Sequence, residues 1–298
     1  MTPPGALTGS PRGVGAARAV RALLASSHPG PTLVVTVLAV VLGASLGFGL
    51  GRLTVVAAAV LLGQLSIGFC NDWLDADRDR LVGRTDKPVV QGLVSAATVR
   101  AAALVCAALM LVPSYALGPA AGTAHLVLVA SGWAYDLGLK RTPWSVLPFV
   151  VSFGLLPVVV TLASATPVAP AAWAVGVGAV FGVAIHFTNV LPDLDDDART
   201  GIAGLPHRLG RTASGVIAFV ALVVAALVLA GGQIAHDASP AVLVAAVSGL
   251  AITVVLAGIG IALVLAGRTG RSLFRLIMTA ALVLVVQLAV SGGALIGS

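Results

Sequence analysis

The chain has 298 residues, 58% of them hydrophobic and only 9% charged, with a mean hydropathy of +1.07 and a formal net charge of +6. An ordinary soluble domain carries roughly 25% charged residues, so this composition describes an all-α, polytopic membrane protein. It excludes soluble enzyme folds, disordered scaffolds and nucleic-acid binders, because the 17 cations are diluted through a mostly apolar chain.

Residues 1–20 are rich in Pro, Gly and Arg and lack the apolar core of a cleavable signal; they are expected to form a mobile cytoplasmic tail before one domain over 21–298. A membrane span needs about 20 mostly apolar residues. Gly, Pro and charge clusters divide the remainder into nine candidate spans: 30–48, 53–76, 94–113, 119–137, 144–163, 170–192, 212–232, 240–266 and 273–296. Threaded through that scheme, every Lys and Arg except Arg52 falls on one side. The positive-inside rule makes that side cytoplasmic, with the N-terminus inside and the C-terminus outside. Cys70 and Cys106 lie within apolar stretches, which excludes a disulfide framework and a Cys-rich metal site.

All eleven acids are Asp, and eight of them fall in two clusters, Asn71–Asp79 and Asp193–Asp197, each at the cytoplasmic end of a span. A carboxylate facing lipid at mid-helix costs about 2.5–3.5 kcal/mol, so eight of them must line a wet cavity, bind cations or sit in solvated loop ends. At about 100° per residue, Asn71, Asp72, Asp75 and Asp79 share one face while Asp77 points away. His186, Asn189, Asp193, Asp196 and Asp197 share a similar face, and Asp195 lies off it.

Shifting the chain by 118 residues lays Asn71, Asp75, Asp79, Gly83, Pro88 and Gly92 on Asn189, Asp193, Asp197, Gly201, Pro206 and Gly210. That is an internal repeat, with one carboxylate station per half. Carboxylates at this spacing suit Mg²⁺, which keeps several waters and is shared between one or two carboxylates and a substrate phosphate. Arg78, Arg84, Lys87, Arg199 and Arg208 add positive charge for the same anion. Two facing stations would clamp a diphosphate borne by a greasy substrate.

From about Arg21 onward the sequence resembles the UbiA-type intramembrane prenyltransferases, including the 4-hydroxybenzoate polyprenyltransferase-like members. The family's NDxxDxxxD signature is met by Asn71, Asp72, Asp75 and Asp79, and its DxxxD signature by Asp193 and Asp197. The resemblance implies nine helices bundled around a central cavity, with Mg²⁺ held by Asp72, Asp75, Asp79, Asp193 and Asp197. It further implies ionisation of an isoprenyl diphosphate and transfer of the prenyl cation to a lipophilic, often aromatic, acceptor within the membrane lipid. Where many relatives carry Arg after the second Asp of the first motif this chain has Ala76, and where a Lys or Arg often follows the second motif it has Ala203. The family's Tyr-x-x-x-Lys corresponds to Tyr135 and Lys140, one residue further apart.

Four further readings stay open at this level. His28 before Pro29 is either a helix-start feature or a residue facing the acceptor. His186 is either a pocket residue or a hydrogen-bonded core histidine. Asp136 either serves the acceptor or pairs with Lys140 or Arg141, and the four tryptophans, Trp73, Trp133, Trp144 and Trp173, fall near span ends as an interfacial belt would. The Arg, Ala, Val and Gly bias suggests a bacterial plasma membrane. Beside prenyl transfer stand cyclisation of the prenyl chain in the same fold and a cation-coupled transporter.

Overall fold

The computed structural model describes residues 15–194, 197, 201–237, 239–268 and 271–296. Its elements in order are α1 (Ala16–Ala25), α2 (Pro29–Ser45), α3 (Leu50–Leu74), α4 (Ala76–Leu81), α5 (Ala96–Leu109), α6 (Leu111–Ala116), α7 (Pro119–Leu137), α8 (Leu147–Leu162), α9 (Ala172–Val190), α10 (Leu205–His236), α11 (Pro240–Leu265) and α12 (Arg271–Val290). Short 3₁₀ turns follow α7 and α12. Every predicted window holds a helix. By length and composition α3, the α5–α6 pair, α9, α10 and α11 can cross a membrane, as can α1 and α2 if that pair, bent by 67°, is one span; α8 is a shorter apolar helix.

Proline begins these helices as its fixed φ and missing N–H favour: α2, α7, α8, α10 and α11 all carry one in the first two positions. Three boundaries depart from the sequence reading. Helix α1 occupies the last part of the predicted tail, because its Ala22 and Leu23 pack into an apolar cluster with Phe69 and Cys70. The third span is broken at Met110 into α5 and α6. Helix α10 starts at Leu205, seven residues before its predicted window, with Gly210 at φ 81° breaking the first turn from the rest.

Sequential helices pack side by side, and the bundle closes where α12 meets α2 and α9. Helix α9 lies against α8 along Gly178 and Gly182, where an added Cβ would strike the carbonyls of Phe153 and Phe149. Pro157 inside α8 has no N–H for the Phe153 carbonyl four residues earlier, so that acceptor is open just where Gly178 approaches. Between α2, α8, α9 and α12 lies an apolar pocket lined by Leu38, Leu42, Phe153, Leu156, Pro157, Val177, Gly178, Phe181, Leu284, Val285 and Leu288.

The 118-residue repeat extends to the helix order: α3, α5–α6, α7 and α8 map onto α9, α10, α11 and α12. An equal shift also relates the loops. Gly83 and Gly201 take φ 72° and 76°, and Gly92 and Gly210 take 70° and 81°. The Arg84 N–H donates to the Asp79 carbonyl as the Ile202 N–H donates to that of Asp197, both at 3.0 Å. At the far end of the bundle Arg52, the lone cation predicted there, donates at 2.6 Å to the carbonyl of Ala163 as α8 ends. It satisfies an acceptor that the helix itself leaves open. The Ala171 N–H donates to the Leu295 carbonyl, tying the C-terminal turn to the start of α9.

Candidate active site

Helix α3 ends at Asp75, α4 begins at once, and this short step keeps three carboxylates on one buried face: Asp72, Asp75 and Asp79 are 3%, 3% and 2% exposed. Asp77 points outward, 94% exposed and paired with Arg80, as the helical spacing predicts. Buried charges must be paired, and each of the three is. Asp72 Oδ1 lies 2.6 Å from Lys87 Nζ and 2.9 Å from His28 Nε2. Both oxygens of Asp75 accept from Lys140 Nζ, at 2.6 and 2.7 Å, and its Oδ2 also accepts from Asn71 and Arg78. Asp79 lies 3.4 Å from the Arg78 guanidinium.

The elbow between α1 and α2 delivers His28. It is the one non-glycine residue with positive φ among those described, at φ 53° and ψ 63°, a conformation that non-glycine side chains disfavour. Gly68 of α3 lets the elbow approach, since a Cβ there would overlap the Ser27 carbonyl. The sequence reading left His28 open between helix start and acceptor contact; it is a helix start that also touches Asp72. The available signal was its position at the same end of the bundle as the first acidic cluster.

The second station is built on the end of α9. The Asp193 side chain is 46% exposed and sits 3.6 Å from Arg84. Asp197 lies 3.5 Å from Arg78 and 3.3 Å from His207 Nε2. Arg78 and Arg84 of the first station therefore cross to the second, which brings the two halves face to face. Arg84 is also held by both oxygens of Asp86 at 2.9 Å; the guanidinium keeps the Asp86 carboxyl down at about 2. Burial pushes the carboxyls of Asp79 and Asp197 above their usual range, against the pull of Arg78.

The remaining predicted residues divide. Lys140 is at the site, carried there by the turn after α7. Gly204 packs against that turn so closely that a Cβ would lie 2.7 Å from the Lys140 carbonyl and 2.8 Å from Ser145 Oγ. Of the two readings left open for Asp136, the pairing with Lys140 or Arg141 does not form. Lys140 goes to Asp75, and Asp136 Oδ1 accepts from Asn71 at 2.9 Å, the chain folding back across 65 residues in both cases. Tyr135 stacks edge-on with Phe149 and His186.

His186 is fully buried with Nε2 3.0 Å from Ser145 Oγ, which in turn accepts the Leu205 N–H. It thus braces the loop against α10, the core-histidine alternative. Asn189 is exposed at the end of α9. Arg208 is exposed and donates to the Ala203 carbonyl, away from the carboxylates. Arg199, Asp195 and Asp196 lie outside the described residues. Of the tryptophans, Trp144 is exposed, but Trp133 donates to Ser66 Oγ between α3 and α7, and Trp173 packs on Gly232. Those two also serve helix packing.

Among the described residues no three His, Cys, Asp or Glu side chains converge as a ready metal cage. Mg²⁺ does not require one, since it takes one or two carboxylates together with waters and phosphate oxygens. The donor set is all hard oxygen, and the half-exposed Asp193 carboxylate accepts no hydrogen bond from the described residues. The residues fit such an ion.

The model of the UbiA prenyltransferase family matches residues 32–269. No curated protein matches the chain. Among solved structures, a UbiA homologue from Archaeoglobus fulgidus bound to DMAPP and Mg²⁺ superposes with a TM-score of 0.71 at 14% identity, covering 92% of this chain and 98% of that one. The apo UbiA homologue from Aeropyrum pernix K1 gives a TM-score of 0.67 at 20% identity, over 86% and 96%. A digeranylgeranylglyceryl phosphate synthase gives 0.64 at 15%, over 93% and 99%. At such identities these likenesses speak for the fold, and the family match over most of the length speaks for membership. The chain belongs to the UbiA prenyltransferase family.

Proposed function

We propose that this chain transfers a prenyl group from an isoprenyl diphosphate to a small lipophilic, aromatic acceptor inside the membrane, with Mg²⁺ as cofactor. The observation that carries the reading is the meeting of two repeat-related carboxylate stations, joined by Arg78, at one end of a bundle that also encloses an apolar pocket. Structures of a UbiA homologue bound to GPP or DMAPP with Mg²⁺ support the same substrate class.

Asp72, Asp79, Asp193 and Asp197 are the carboxylates that would hold Mg²⁺, with Asp75 joining them where Lys140 releases it. Bound there, the ion supplies positive charge to a departing diphosphate. Lys140, Lys87, Arg78, Arg84 and His28 surround the same space and would bind the phosphate oxygens, stabilising charge as the allylic C–O bond breaks and its electron pair leaves with the diphosphate. The walls of α2, α8, α9 and α12 would hold the prenyl chain and keep water from the allylic cation. The acceptor's π electrons then form the new C–C bond and the acceptor gives up a proton, so no nucleophilic side chain is required. The bias of sixteen of seventeen cations to the motif side supports the reading that this side faces the cytoplasm.

The test is turnover of radiolabelled prenyl diphosphates of several lengths by the purified chain in lipid nanodiscs, with and without Mg²⁺ and with a lipid extract as acceptor source. Labelled product that needs both Mg²⁺ and the extract is expected. Product from the diphosphate alone would replace transfer with cyclisation, and no Mg²⁺-dependent consumption of any diphosphate would overturn the reading.

A further inference from the structure

Arg78 is the side chain that reaches the most of the candidate metal carboxylates, and its contacts cross the repeat. Its Nη2 lies 3.1 Å from Asp75 Oδ2 and 3.4 Å from Asp79 Oδ1, while Nη1 lies 3.5 Å from Asp197 Oδ1. Other cations at the site are tied differently. Lys87 serves Asp72 and Lys140 serves Asp75. Arg84 crosses to Asp193 but is anchored by the two hydrogen bonds it donates to Asp86, which lies outside the predicted ligand set. Arg78 has ion-pair partners only within that set, among the described residues.

We propose that Arg78 is an internal counter-cation that stands where metal charge is needed and couples the binding of Mg²⁺ to the binding of diphosphate. The inference rests on the reading of the two stations as a Mg²⁺ and diphosphate site. Mg²⁺ demands oxygen ligands at about 2.0–2.1 Å in near-octahedral order. A guanidinium wedged among Asp75, Asp79 and Asp197 both repels the ion and holds apart the oxygens it would draw together. Expelling Arg78 without a new partner would strand a charge that is always present, because guanidinium does not deprotonate in proteins. A diphosphate supplies that partner, since the planar fork matches phosphate oxygens as it matches carboxylates. Metal alone therefore binds weakly, metal with diphosphate binds tightly, and by linkage each raises the affinity of the other by one common factor.

Calorimetric titration of the purified full chain with Mg²⁺, alone and with inorganic pyrophosphate, tests this, together with thermal unfolding in the absence of metal. In the wild type, pyrophosphate should raise Mg²⁺ affinity on the order of ten-fold or more. Arg78→Gln should bind Mg²⁺ alone on the order of ten-fold more tightly than the wild type, lose most of the pyrophosphate effect, and unfold at a lower temperature without metal. Arg78→Lys, which keeps the charge without the fork, should fall between the two and serves if Arg78→Gln does not fold. Unchanged or weaker binding of Mg²⁺ alone by both variants, with the pyrophosphate effect intact, overturns the role of Arg78 alone. Failure of the wild type to bind Mg²⁺ with pyrophosphate overturns the site reading beneath it.

Discussion

The two carboxylate stations share a backbone plan but differ in their electrostatics. Asp72, Asp75 and Asp79 are buried and compensated largely from their own half, by Lys87, His28, Lys140 and Arg78. Asp193 is half-exposed, and Asp193 and Asp197 take cations from the first half, Arg84 and Arg78, with His207 of their own half beside Asp197. The glycines at positive φ and the matching turn hydrogen bonds recur in both, so the repeat preserves the loop shape. What diverges is the set of side chains around it. A buried, locally paired station is pre-organised and intolerant of losing a partner; the half-exposed Asp193 has solvent beside it into which a ligand can enter.

The largest expected effect breaks the buried station. Asp75→Asn leaves Lys140, 5% exposed, without its counter-charge. Breaking a buried pair costs about 3–5 kcal/mol, so the unfolding midpoint should drop sharply and turnover should fall by roughly a thousand-fold, the upper end of the loss for one electrostatic contact. Adding Lys140→Met should restore much of the midpoint and none of the turnover, read by thermal unfolding and product formation on one preparation.

Asp197→Asn should reduce turnover by about 10²–10³-fold with a much smaller change in the midpoint, because Arg78 keeps Asp75 and Asp79 as partners. Equal destabilisation by Asp75→Asn and Asp197→Asn would erase the contrast between the stations.

A smaller effect is expected where the first station depends on backbone proximity. In Gly68→Ala the added methyl meets the Ser27 carbonyl and pushes the α1–α2 elbow outward, carrying His28 from Asp72. A displacement on the scale of 1 Å can cost up to about a hundred-fold, so a turnover loss of roughly ten-fold or more is expected. Wild-type rates in Gly68→Ala would remove the elbow from the site.

At the bottom of the scale, Asp77→Asn touches only an exposed pair with Arg80. Exposed pairs contribute about 0–1 kcal/mol, and turnover within about two-fold of wild type is expected. A loss comparable to that of Asp197→Asn would show that charge near the station, not its facing, governs activity.

Much of this was legible before any coordinates. Hydropathy and proline placement located the helices, the cation asymmetry isolated Arg52, and the 118-residue shift located two loops that fold alike. Helical spacing separated Asp77 from Asp72, Asp75 and Asp79. These signals are local, carried by the rise and turn of a helix or the cost of charge in lipid, and they need no knowledge of neighbours far along the chain. Helix α1 was less legible because its short alanine-rich run declares itself only by what Ala22 and Leu23 pack against.

Partnership was decided by tertiary structure. Lys140 pairs with Asp75 and not with the nearby Asp136; Asp136 turns to Asn71; His28 reaches Asp72; and Arg78 spans both halves. Coulomb attraction falls with distance and strengthens as water is excluded, and both quantities are set by which helices pack together. The amino-acid order determined that cations and carboxylates would gather at one end of the bundle. Only the folded arrangement, bringing residues 65 positions apart within 3 Å of each other in a buried space, determined which of them pair.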